Sequence, residues 1–160
     1  MTRARRSDVE LQDVSRHLYY ELWMFLTLAK ALGTGVFGEG ALNNAVLESF
    51  TVHGRNLLDF LFAVRPREDD VIAQDFLDGP ENWDSARGEM PEALKDLNRR
   101  VGKEVAHLTY ARLGVTPDKK PWSFLAIAGA METVMKKFVA LVPGTRLSPE
   151  WGAVLPRRDV

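Results

Sequence analysis

The sequence contains no cysteine among its 160 residues. This absence excludes disulfide bonds, thiolate zinc sites and cysteine nucleophiles together, and it is typical of proteins from a reducing compartment. No apolar segment follows the basic N-terminal stretch MTRARRSD, so we expect no signal peptide. We therefore expect a cytoplasmic protein.

An excess of charge of one sign is also absent. The 21 basic and 22 acidic residues leave a formal net charge of −1, so the chain as a whole has no general attraction for nucleic acid. Long apolar runs are missing as well, because the strongest one contains Glu132 and is followed by Lys136 and Lys137. We expect no membrane-spanning segment and no membrane partner.

The signatures of nucleophilic hydrolases and of nucleotide-binding loops are missing too. The chain has no GxSxG motif, and the glycine-rich stretch 33–40 lacks the lysine of a phosphate-binding loop. Four glycines in these eight residues are instead typical of a connection between two helices.

The chain does contain strong helical periodicity. Apolar residues recur at steps of three and four over long segments, and no useful length of sequence alternates with the period of a strand. We predict four main helices and a short extra helix between the second and the third, at about 7–32, 41–64, 69–76, 91–112 and 122–142. The predicted fold class is all-α, an antiparallel helical bundle.

The length of the chain suits one domain. We predict a single helical-bundle domain over residues 1–142, because Pro143 and Gly144 end the last main helix. The remainder, 143–160, contains further prolines and is predicted to be an extended C-terminal tail.

Polar residues interrupt the predicted apolar faces of the first two helices. At about 100° per residue, Ser49, His53 and Asn56 fall on the same side of helix two as Phe60, and Glu21 continues the apolar stripe of helix one. Buried polar groups need partners, so these four polar residues are predicted to form an interhelix polar pocket. Two interpretations stay open: His53 is a structural histidine that fixes the helix register, or it belongs to a functional pocket. The Glu21 carboxylate is expected to reach towards solvent.

Aromatic residues add to the apolar stripe at the middle of helix one, since Tyr19, Tyr20 and Trp23 lie on sides of the helix outside that stripe. A helix that is apolar or aromatic nearly all round is usually central or lies at a subunit interface. We therefore expect a homodimer.

Charged residues gather on one flank of the predicted third helix. Arg100 and His107 are seven positions apart and nearly superimposed in projection, with Glu104 between them and nearer the core. Ion pairs can form between Arg100 and Glu104 at four residues and between Glu104 and His107 at three. A solvated charge ladder at the edge of the bundle is one interpretation of this flank, and a phosphate-handling site is the other.

An arginine followed by a histidine after six intervening residues, on a late helix of a small all-α bundle, resembles the HEPN superfamily. The stretches SFTVHGRNLLDF and DDVIAQDF are similar to segments of bacterial HEPN-like proteins related to abortive-infection proteins. The resemblance covers about residues 41–142.

The resemblance implies a function. Active HEPN proteins are metal-independent ribonucleases whose site forms where two protomers meet. In that case His107 would be the general acid or base at the ribose 2′-hydroxyl, and Arg100 would hold the scissile phosphate. Glu104 completes the candidate catalytic set. RNA and a cognate antitoxin protein are the partners that the resemblance implies.

Two departures from the family pattern affect this expectation. Val101 follows the arginine where the family usually has a polar residue, and Glu104 is placed to neutralise Arg100. We therefore favour a non-catalytic interaction or RNA-binding module that dimerises, with the ribonuclease as the alternative.

A metal-binding bundle is the second alternative, because Glu104 and His107 have the Glu-x-x-His spacing of di-iron four-helix proteins. A second such motif is missing, since Met135 follows Glu132 at that spacing. Three residues on the other helices could add ligands: Glu21, His53 and Glu132. We predict neither a bound metal nor a cofactor.

Overall fold

A computed structural model describes residues 4–78, 82–105, 109–116 and 121–154. Within these ranges the backbone forms helices and turns and no strand, which confirms the all-α class. The helices are α1 (Asp8–Gly33), α2 (Ala41–Phe62), α3 (Trp83–Arg87), α4 (Glu92–Arg100), α5 (Phe124–Leu141) and α6 (Trp151–Val154). One π-helical turn covers Val101–Val105, and 3-10 turns cover Ala73–Phe76, Tyr110–Gly114 and Gly144–Arg146. Over the same ranges, each helix is too short or too polar to cross a bilayer.

Helix α1 begins where its sequence predicts. The backbone amide of Glu10 donates to Oγ of Ser7 over 3.3 Å, and the Ser7 amide donates to the Glu10 carboxylate over 2.8 Å. These reciprocal bonds satisfy two amides that a helix N-terminus leaves without partners. Ser7 is therefore the N-cap of α1.

The long helices run antiparallel to their neighbours. On α1 and α2, Phe25 stacks on Phe50 with the ring centroids 4.6 Å apart. Four residues nearer the start of α1, Glu21 contacts His53, which lies three residues after Phe50 on α2. The two helices therefore run in opposite directions. Helix α5 also opposes α1, because its first turn lies beside Gly33. Helix α4 packs against α2 and α5 and completes the group of four main helices.

An aromatic cluster fills the end of the bundle where α2 finishes. Edge-on contacts join Phe138 to Phe60, Phe76 and Trp83, with centroid distances of 5.0, 5.4 and 5.8 Å. The indole Nε1 of Trp83 donates to the Leu61 carbonyl over 2.7 Å. The segment between α2 and α4 is thus anchored in the core. Its predicted extra helix at 69–76 is only the 3-10 turn Ala73–Phe76, and α3 was not predicted.

The predicted third helix is shorter than its periodicity indicates. Helix α4 ends at Arg100 and widens into the π-helical turn, whose second residue is Gly102. Glycine in a helix costs about 1 kcal/mol relative to alanine, which makes this the weakest point of the segment. A continuous helix to Arg112 is therefore wrong, since residues 110–114 form a separate 3-10 turn.

The segment after α5 is not an extended tail over its described part, up to residue 154. Leu147 and Trp151 are buried, and the indole Nε1 of Trp151 donates to the Ser15 carbonyl over 3.0 Å. These contacts attach the segment to α1, so the prediction of a tail from residue 143 is wrong for residues 144–154. Residues 155–160 lie outside the described ranges.

Arg146 makes the strongest attachment of this segment. Its Nε donates to Asp8 over 2.7 Å, its Nη2 to Asp78 over 2.6 Å and its Nη1 to the Phe76 carbonyl over 2.9 Å. Burial opposes its charge, but the hydrogen bonds to Asp8 and Asp78 outweigh burial and raise the pKa of Arg146. Hydrogen bonds from Arg146 and Thr145 lower the pKa of Asp8. This cross-link joins three parts of the chain that the sequence separates widely.

A glycine permits the close approach of α1, α2 and α4. A Cβ atom on Gly54 would lie 2.9 Å from Cε2 of Phe25 and 3.1 Å from Cδ2 of Leu97. We expect Gly54→Ala to lower the free energy of unfolding by about 1–3 kcal/mol, because the methyl group overpacks the core. Urea unfolding followed by circular dichroism measures the change.

The control for this prediction is Gly129→Ala in α5, where an added Cβ would meet no heavy atom within 4 Å. That substitution should leave stability unchanged or raise it by up to about 1 kcal/mol, since alanine is the better helix former. If Gly54→Ala were as stable as Gly129→Ala, the close approach at Gly54 would not be a constraint.

Candidate functional site

Arg100 lies inside the protein. Only 5% of the residue's surface is exposed to solvent. Nε donates to the Glu104 carboxylate over 2.8 Å, and Nη1 donates to the Pro121 carbonyl over 3.1 Å. The guanidinium carbon lies 3.8 Å from the centre of the Trp122 ring, which adds a cation–π contact. The predicted ion pair between Arg100 and Glu104 is confirmed, and of the two interpretations of this flank the solvated charge ladder is wrong for Arg100.

The burial of Arg100 results from the segment before α5. Pro121 and Trp122 cross the end of α4, supplying a carbonyl acceptor on one side and an aromatic face on the other. A helical projection of residues 91–112 contains no information about this segment, because the contact joins residues 21 or more positions apart. The periodicity of the sequence predicts Trp122 only as the first residue of the last main helix.

Glu104 connects the buried arginine to an exposed one. Its Oε1 lies 3.4 Å from Nη1 of Arg99, while its Oε2 accepts from Arg100. Arg99 also donates to Asp96 over 2.6 Å, and this hydrogen bond raises the pKa of Arg99. The Glu104 carboxylate is thus shared between two cations, which balances the charge at the end of α4. His107, the third residue of the candidate catalytic set, lies outside the described ranges.

The interhelix polar pocket is centred on Glu21. Its Oε2 lies 2.7 Å from Nδ1 of His53 and accepts from Nδ2 of Asn56 over 3.0 Å. The carboxylate therefore turns towards α2 and bonds two of the three predicted partners there, so the expectation that it reaches towards solvent is wrong. It makes no hydrogen bond to His17, which is exposed on the same helix. Ser49 is half-buried and makes no hydrogen bond to the other three.

The contact with Glu21 determines the tautomer of His53. An ionised carboxylate can only accept hydrogen bonds, so Nδ1 of His53 carries the hydrogen. When the ring is neutral, Nε2 is then the atom with the lone pair. No side chain of the described residues bonds Nε2. Tyr20 packs against the ring edge with the centroids 5.7 Å apart.

This cluster can do two things chemically. The Glu21 carboxylate couples α1 to α2 through two hydrogen bonds, which fixes the register of the two helices. The same carboxylate holds an imidazole whose Nε2 can accept a hydrogen bond. In the described part of the chain, no three histidine or acidic side chains lie close enough together to hold a metal ion.

An exposed aromatic pair lies next to the polar pocket. Tyr20 and Trp23 are 48% and 45% exposed, with ring centroids 6.3 Å apart. Tyr19 is different, since it packs edge-on against Trp151 at 6.2 Å. Of these three residues, Tyr19 therefore packs against the C-terminal segment, and Tyr20 and Trp23 face outward.

The chain was compared with models of known protein families, with curated protein sequences and with solved structures, and it matched none of them.

Removing the Arg100 side chain should destabilise the protein strongly. We expect Arg100→Ala to lower the free energy of unfolding by about 3–5 kcal/mol, because Glu104 then loses the partner of a buried ion pair. The matched control is Arg99→Ala, one residue earlier and exposed, with an expected loss of about 0.5 kcal/mol or less. Urea denaturation of both variants measures the difference. Equal losses would contradict the internal role of Arg100.

The tautomer of His53 is open to direct measurement. We expect ¹⁵N NMR of the imidazole to show the Nδ1–H form when His53 is neutral, with the exposed His17 as an internal reference. Glu21→Ala should remove this preference and lower the free energy of unfolding by about 1–3 kcal/mol, since His53 and Asn56 lose their acceptor. An Nε2–H form in the unmodified protein would show that Glu21 does not orient the ring.

Proposed function

We propose that the protein is a non-catalytic interaction module that forms a homodimer through the outward face of α1. The observation that carries this proposal is the exposed pair Tyr20 and Trp23, in contact with each other at the middle of the longest helix. Tyrosine and tryptophan supply large contact areas at low entropic cost and are enriched at the centres of interfaces. A helix face of this kind binds another protein surface.

The contacts of Arg100 support the proposal that the protein is not catalytic. A residue that holds a scissile phosphate must present its guanidinium to the substrate. Arg100 instead directs Nε to Glu104 and Nη1 to a backbone carbonyl, with its flat face on Trp122. Releasing it would leave Glu104 without its buried partner. These contacts favour a structural role for this arginine.

The HEPN-like resemblance stays a prediction, and with it RNA or an antitoxin protein as partners. A dimeric HEPN-like module without catalytic activity is compatible with the arrangement of Arg100 and with the exposed face of α1. A cytoplasmic location is part of the same proposal and is supported by the lack of cysteine.

The aromatic pair should control self-association. We expect the unmodified chain to sediment as a dimer and Trp23→Ala to weaken the dimer by about 2 kcal/mol or more, the size typical of an interface hot spot. Sedimentation velocity over a concentration series measures both. Tyr110→Ala is the control, because Tyr110 is 92% exposed and belongs to a different part of the fold. A chain that stays monomeric at all concentrations would overturn the proposal.

The non-catalytic part has its own test, which uses structured RNA incubated without metal ions. We expect no cleavage. Cleavage that disappears in His107→Ala, while the variant keeps its fold, would replace the proposed module with a ribonuclease. Cleavage that persists unchanged in that variant would mean contamination or a different site, and a different site would also overturn the proposal.

A further inference from the structure

The exposed residues of α1 follow a regular spacing. Eight residues follow one another at alternating steps of four and three, and all of them are exposed: Val9, Asp13, Arg16, Tyr20, Trp23, Thr27, Lys30 and Thr34. We call this set the α1 stripe. Steps of four and three keep residues on one side of a helix and are the spacing with which two helices pack along their length.

Two of the three charged residues of the α1 stripe lie at equal distances from its centre, and the third, Arg16, has the neutral Thr27 at its mirror position. Asp13 lies seven residues before Tyr20, and Lys30 lies seven residues after Trp23. The aromatic pair therefore occupies the middle, with Asp13 and Lys30 at equal distances on its two sides and Arg16 between Asp13 and Tyr20. A surface that binds a second copy of itself by a two-fold axis must be complementary to itself in this way.

From this symmetry we infer that the partner on the α1 stripe is a second copy of the chain, packed antiparallel, with the two-fold axis between Tyr20 and Trp23. This inference rests on the proposed function and specifies its interface. In this register Tyr20 lies opposite the partner's Trp23, and Asp13 lies opposite the partner's Lys30. Each of these contacts occurs twice.

The parallel arrangement of two α1 stripes is disfavoured by charge repulsion. A parallel arrangement would place Asp13 opposite the partner's Asp13 and Lys30 opposite the partner's Lys30, and like charges at an interface disfavour binding. In the antiparallel register Arg16 lies opposite the partner's Thr27, and Val9 lies opposite the partner's Thr34. No two like charges of the α1 stripe then face each other. The aromatic centre supplies the contact area, and the ion pairs select the register.

Charge reversal tests the register. Asp13→Lys and Lys30→Asp should each weaken the dimer about tenfold or more, because two attractions become two repulsions. The double variant Asp13→Lys/Lys30→Asp should return to within about threefold of the original affinity, since opposite charges face each other again. Glu89→Lys, at an exposed position in the loop before α4, controls for the change in net charge that Asp13→Lys makes. Sedimentation equilibrium measures each dissociation constant.

Disulfide trapping tests the direction of the helices, and the absence of native cysteine removes any background. Asp13→Cys and Lys30→Cys chains, mixed and oxidised, should form the mixed disulfide. Asp13→Cys alone should not cross-link, because the antiparallel register separates the two copies of residue 13 by about 25 Å at roughly 1.5 Å per residue.

The outcomes separate this inference from the proposed function. Two results would overturn the antiparallel register and leave the proposed function standing. In the first, Trp23→Ala weakens the dimer but the charge reversals leave its affinity unchanged. In the second, Asp13→Cys chains cross-link with each other. A chain that shows no dimer at any concentration overturns both. Restoration by the double variant, together with the mixed disulfide, supports the register.

Discussion

The close approach of α1 to α2 at Gly54 is the constraint on which the rest of the structure depends. The absence of a side chain there lets the Phe25 ring and Leu97 reach the backbone of α2, so three helices meet at one point. Stacking of Phe25 on Phe50 extends that contact along the helices. Once the two helices lie in this register, Glu21 faces His53 and Asn56, and the neighbouring face of α1 is left outward with Tyr20 and Trp23.

Two buried arginines hold the later parts of the chain to this frame. Arg100 joins the end of α4 to the segment before α5, and Arg146 joins the segment after α5 to Asp8 and Asp78. In both cases a backbone carbonyl and one carboxylate (Arg100) or two carboxylates (Arg146) accept hydrogen bonds from the guanidinium, as its burial requires. Arginine is suited to this role because its planar group directs several donors at fixed angles. A cation used in this way is part of the architecture and is not displayed to a ligand.

The elements predicted correctly are those with long, uninterrupted periodicity. Helices α1, α2 and α5 begin and end within about two residues of their predicted limits, the usual uncertainty of helix ends. The third helix was overextended because apolar residues continue at helical steps beyond Gly102, where the backbone widens into a π-helical turn. The C-terminal segment was misassigned because its prolines indicate irregular backbone, and they contain no information about whether Trp151 and Arg146 are buried.

The sequence alone determined the all-α class, the capped start of α1, the polar positions on one face of α2 and the i, i+4 pairing of Arg100 with Glu104, because each depends on neighbours within a few turns of one helix. Tertiary structure alone decided that Glu21 bonds α2, that Ser49 stays outside its cluster and that Trp122 covers Arg100. These depend on contacts between residues 20 or more positions apart, which the packing of several helices creates. A helical projection gives the face on which a residue lies, and only the packed bundle decides what meets that face.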